Sequence, residues 1–167
     1  MANSILEQIS QNILTTLNGM TVAMGYTQDI TFTRPLRKGT IPTANTGILA
    51  IAAVKSEGQD GDTQQPIYSQ LQHFMVDYEL EIYIFQSDDD TTPIDTIKSN
   101  IFADCSILLM ADAQRGSPAD ASGPHLALDT FVTGYDNFFD EDGSFEGMTV
   151  NFSVHYRVFR NNPYQAG

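Results

Sequence analysis

Apolar and polar residues alternate almost without a break from Gly147 to Arg160, GMTVNFSVHYRVFR. Met148, Val150, Phe152, Val154, Tyr156 and Val158 share one side of an extended chain, the pattern of a long strand buried on one face. The same period of two runs from Phe74 to Ile84, with Phe74, Val76, Tyr78, Leu80, Ile82 and Ile84 on one side and Asp77, Glu79 and Glu81 on the other. This predicts a sheet with one acidic face. Ile48 to Val54 is a nearly continuous apolar run, as expected of a central strand covered on both faces. Shorter strands are expected at Ile30 to Thr33, ending at Arg34-Pro35, and at Leu126 to Val132.

Two segments change to steps of three and four. Leu6, Ile9, Ile13, Leu17 and Met20 predict one amphipathic helix. It begins at Ser4-Ile5-Leu6-Glu7, where serine and glutamate can reciprocally satisfy backbone amides, and Gly19 and Gly25 are its candidate terminators. Ile94, Ile97, Ile101, Cys105 and Leu108 form the stripe of a second helix, with Pro93 at the first helical position, Asp95 near the positive end of the dipole and an end near Asp112. Val150, Phe152, Val154 and Tyr156 should pack beneath this second stripe. Long loops are expected near 36–47, 56–70, 113–125 and 137–145. Asp60-Gly61 and Asp142-Gly143 are turn signals within two of them. The fold class predicted is α/β of the α+β kind: a single domain over residues 1–167, with a mostly antiparallel or mixed twisted sheet packed against two main helices.

At 167 residues the chain can bury a core of its own. Its formal charge of -13, from 21 acidic and 8 basic residues, argues against adhesion to phosphate backbones, which depends on Lys and Arg. Such a charge keeps a protein soluble at high concentration, and it also suits a wall past which DNA slides. Arg34, Arg37 and Lys38 make the only basic patch. No basic region precedes an apolar stretch in MANSILEQISQN and no segment has the length to span a bilayer, so the reading predicts a soluble intracellular product with no membrane partner. The sole cysteine, Cys105, lies on a helix stripe and is expected to be a small core residue.

Catalytic signatures are missing: there is no G-x-S-x-G and no glycine-rich phosphate cradle. His73, His125 and His155 are widely separated and lack ligand spacing, so they are read as surface or interface residues and no zinc site is assigned. Asp140, Asp142 and Glu146 could serve a metal-dependent enzyme only if ligands converged from other strands, and a hairpin turn explains them more simply. Asp88, Asp89 and Asp90 precede a helix and favour its dipole. No cofactor is expected.

Taken in order, several segments resemble tail terminator proteins of long-tailed bacteriophages, also known as minor tail or tail completion proteins. They are the helix ILEQISQNILTTL, Thr92-Pro93-Ile94-Asp95-Thr96-Ile97, Leu109-Met110-Ala111-Asp112, Leu126-Ala127-Leu128-Asp129-Thr130, Phe138-Phe139-Asp140, Gly147-Met148-Thr149-Val150 and His155-Tyr156-Arg157. The resemblance covers most of the chain outside 38–70. It implies a structural virion protein without enzymatic activity, made in the host cytoplasm and placed in the virion tail or neck. It further implies a homohexameric ring that caps the tail tube, ends its polymerisation, and joins the major tail tube protein to a head-side connector or stopper, with DNA only as passing cargo. Within such a ring Arg34, Arg37 and Lys38 are the candidate interface with an acidic neighbour. The candidate lumen residues are Asp88, Asp89 and Asp90, or Asp77, Glu79 and Glu81, whose plainer reading is a solvated face. The alternative of the same class is another neck ring, a head completion or stopper protein.

Overall fold

The structure, a computed structural model, describes residues 3–34, 47–53, 70–85, 91–116, 125–139 and 145–166. In chain order its elements are α1 (Ile5–Leu17), a 3-10 turn (Val22–Met24), β1 (Phe32–Thr33), β2 (Gly47–Ala53), β3 (Leu71–Phe85), α2 (Ile94–Ala111), β4 (Asp129–Phe139), β5 (Glu146–Phe159) and β6 (Asn162–Ala166). The sheet runs β1-β2-β3-β5-β4, with β6 also paired to β5. Only β1 and β2 are parallel, so the sheet is mixed and mainly antiparallel. This is the expected α+β domain, with two helices packed on a sheet.

The two long alternating runs become the adjacent strands β3 and β5, in register from Leu71↔Phe159 to Ile84↔Glu146. That register sets Val76 opposite Val154, Tyr78 opposite Phe152 and Leu80 opposite Val150, all of them buried. The rings of Tyr78 and Phe152 stack with centroids 5.1 Å apart. These residues belong to one continuous core that takes Ile5, Ile9, Ile13 and Leu17 from α1 and Ile101, Cys105, Leu108 and Leu109 from α2, with Ile97 partly buried against it. Inner-face contacts join helix to sheet: Ser10 Oγ lies 3.3 Å from Tyr78 Oη, and the ring of Phe102 packs on Tyr135. Among the described elements both helices therefore cover the same side.

Several local expectations are corrected. Pro93 is the N-cap of α2 and not its first residue, because its ψ of 136° is extended. Ser4 caps α1 by accepting from Glu7 N–H at 3.3 Å, but the Glu7 carboxylate accepts from Arg34 and Gln11. The helix ends at Leu17, and Ile5, not Leu6, is the fully buried residue of its first turn. Met20 is buried from beyond the helix end. Leu126 to Leu128 precede a strand that starts at Asp129 and runs to Phe139. Beyond the alternating run, β6 follows β5 at once and pairs back through Phe159↔Asn162 and Val158↔Ala166. The central strand is β3; β2 lies one place towards the β1 edge. Among the described residues no helix is long and apolar enough to cross a membrane.

Candidate assembly surface

The face of the sheet opposite the helices is built by alternation. On β3 it carries His73, Met75, Asp77, Glu79, Glu81 and Tyr83; their partners on β5 are Arg157, His155, Ser153, Asn151, Thr149 and Gly147. Next across, β4 contributes Asp129, Phe131, Gly134, Asp136 and Phe138. Three zones result.

The middle zone is acidic. Asp77, Glu79 and Glu81, expected to share one side, do so. The neutral β5 residues between the carboxylates of β3 and β4 act as donors. Ser153 Oγ donates to Asp77 Oδ1 at 2.5 Å and Asn151 Nδ2 donates to Asp136 Oδ2 at 2.9 Å. Tyr83 Oη donates to Glu81 Oε2 at 3.0 Å, and burial followed by this carboxylate pushes the phenol up to about 12. Charge-assisted bonds of this kind stabilise the carboxylates that they reach. Among the described strand residues, Arg157 is the basic one that the register assigns to this face.

Sequence reasoning missed Asp136 as a member of the zone. Asp129 and Asp136 are seven residues apart, and an unbroken strand would send them to opposite faces. A bulge shifts the register between Val132 and Gly134, which restores Asp136 to the side of Asp129. Gly134 takes a φ of 149°, a conformation that side chains with a Cβ rarely adopt.

At one end of the face lies an aromatic zone. Phe138 and Phe145 pack edge-on against Tyr83, with centroids 5.2 and 5.3 Å away, and Phe85 joins Phe145 at 5.6 Å. The Phe138 ring sits directly over Gly147, in space that a Cβ would need. Phe131 and Met75 add exposed apolar surface elsewhere on the face. At the other end His73 and His155, although 82 positions apart in sequence, bring ring nitrogens to within 3.3 Å.

The remaining candidates fall elsewhere. Arg34 lies against the first turn of α1, its guanidinium 2.7 Å from Glu7 Oε1, and this bond holds the Glu7 carboxyl below the usual carboxylate range. Arg37, Lys38, Asp88, Asp89, Asp90, Asp140 and Asp142 lie outside the described residues. Glu146 points to the helix side, where its Oε2 accepts from the buried Lys98 Nζ at 2.7 Å. His125 lines a concavity of about 370 Å³ with Gln114, Leu128, Arg157 and Ala166. Among the described residues no group of three His, Cys, Asp or Glu side chains is placed to hold a metal ion. No protein-family model matches the chain, and neither does any curated protein.

Proposed function

We propose that the chain is a structural virion protein of the tail terminator kind, a ring subunit that caps the tube of a long phage tail, stops its growth and offers the joining surface to the head. The observation that carries this reading is the resemblance of the quoted segments, which fall on α1, on both ends of α2, on β4 and the residues that lead into it, and on β5. A sheet whose second face carries neither of the described helices supports it, since a ring subunit needs surface for neighbours on both sides. That face is acidic in the middle and aromatic at one end, and interfaces concentrate their binding energy in such aromatic anchors.

Six copies form the ring, as the resemblance implies. Arg34, Arg37 and Lys38 supply its complementary charge, meeting an acidic surface of the next subunit or of a tail component. Either Asp88 to Asp90 or the stripe Asp77, Glu79 and Glu81 lines the lumen. Duplex DNA carries about one negative charge per 1.7 Å, so a basic wall would retain it and an acidic wall lets it pass.

The test is a polymerisation assay. Tail tube protein assembling alone gives tubes of indefinite length, and added chain is expected to shorten them and to be found at one end by electron microscopy. Tubes that grow unchanged, with the chain left in solution, overturn the reading.

A further inference from the structure

His73 on β3 and His155 on β5 sit diagonally across the strand pair, His73 opposite Arg157 and His155 opposite Met75. His73 Nδ1 and His155 Nε2 are 3.3 Å apart, with ring centroids separated by 5.4 Å and planes inclined by 44°. In the metal-free chain this spacing suits a hydrogen bond in which one nitrogen donates and the other accepts. It is also the spacing set by a single tetrahedral zinc ion: two zinc–nitrogen bonds of about 2.0 to 2.1 Å put their nitrogens about 3.3 to 3.4 Å apart.

We propose that His73 and His155 form a two-imidazole site for Zn²⁺ on the sheet face opposite the described helices, with water completing the coordination. Three features favour it. The ligands stand on neighbouring strands of a long ladder and are half-buried, so the backbone is already in place and little ordering remains. Asp129 is the cross-strand partner of His155 and Asp77 lies two residues beyond Met75, so a dication enters a negative field that Arg157 only partly offsets. Imidazole is a ligand type that suits zinc among the first-row ions. Zinc takes the lone pairs of His73 Nδ1 and His155 Nε2, and the ring protons reside on His73 Nε2 and His155 Nδ1. With no third protein ligand among the described residues, the site stays open and weaker than closed structural sites.

Calorimetric titration of the full chain with zinc sulfate is expected to give one ion per chain. His73→Gln and His155→Gln are each expected to lose that binding, while His125→Gln keeps it, all three with unchanged circular dichroism. Absence of binding to the unaltered chain, or undiminished binding to the double variant of His73 and His155, overturns the site. Should a variant fail to fold, imidazole NMR signals of the unaltered chain decide the matter. Zinc should shift those of His73 and His155 and spare those of His125; shifts confined to His125, or none, reject the proposal.

Discussion

The side-chain amide of Asn18 satisfies both backbone polar groups of Phe32, its Oδ1 accepting from the Phe32 N–H at 2.7 Å and its Nδ2 donating to the Phe32 carbonyl at 3.1 Å. Asn18 is the C-cap of α1 and Phe32, 2 % exposed, opens the two-residue strand β1. The amide thus does for Phe32 what a further strand would. Asn18→Ala leaves a donor and an acceptor unpaired beside a buried side chain and is expected to cost about 1 to 3 kcal/mol, read from denaturant melts. A loss below about 0.5 kcal/mol would mean that water replaces the amide at this edge.

Phe152 is 1 % exposed, stacked on Tyr78 at the centre of the sheet. Phe152→Ala removes a ring from a closed core and is expected to cost about 3 to 5 kcal/mol, a large part of the stability of a domain of this size. A denaturant melt that changes by less than about 1 kcal/mol would remove Phe152 from the core.

Alkaline pH should unfold the chain through buried acids. Burial pushes the Tyr78 phenol from 10.0 up to about 12, and the Cys105 thiol from 9.0 up to about 12 with help from Asp104. Both folded values lie above the unfolded ones, so the stability they confer is complete below pH 9 and is lost as pH rises towards 12. Between pH 10 and 12 Tyr78 alone withdraws about 1.4 kcal/mol per unit. Tyr78→Phe keeps the ring and removes the ionisation, so its stability should fall less steeply across this window, at the cost of the bond to Ser10. An unchanged slope would assign alkaline unfolding to other groups.

The long elements could be read in the sequence because burial there is periodic. Steps of three and four marked Ile9, Ile13, Leu17, Ile101, Cys105 and Leu108, and steps of two marked β3 and β5. Departures arise where one residue breaks the period. The bulge before Gly134 inverts parity along β4 and hid Asp136. Pro163, one residue into β6, spoke against a strand that pairs with β5 at only two positions. Arg115 looked like part of a polar loop, yet it is fully buried, donating from Nε to Thr130 Oγ1 at 3.0 Å and from Nη2 to the Leu109 carbonyl. A single charge that satisfies the end of a helix leaves no periodic trace. The histidine pair was illegible for a different reason: only the register of β3 on β5 reveals that residues 73 and 155 meet.

The role proposed for the basic segment can be tested apart from folding. The Arg34 to Glu7 pair is partly solvent-exposed, so it contributes only about 0 to 1 kcal/mol to folding. Changing Arg34, Arg37 and Lys38 together to Glu should leave the melt nearly unchanged while impairing tail joining, most clearly at low salt, where charge contacts are least screened. Normal joining by the folded triple variant at both low and high salt would reject the contact.

The most direct measurement is a cryo-electron microscopy reconstruction of the head-proximal end of tails assembled with this chain. A closed ring of six copies is expected, seated on the last ring of tube subunits, with carboxylates of Asp77, Glu79 and Glu81 or of Asp88, Asp89 and Asp90 facing the channel. Tails that end without the chain, or that carry it as an isolated copy, would contradict the account.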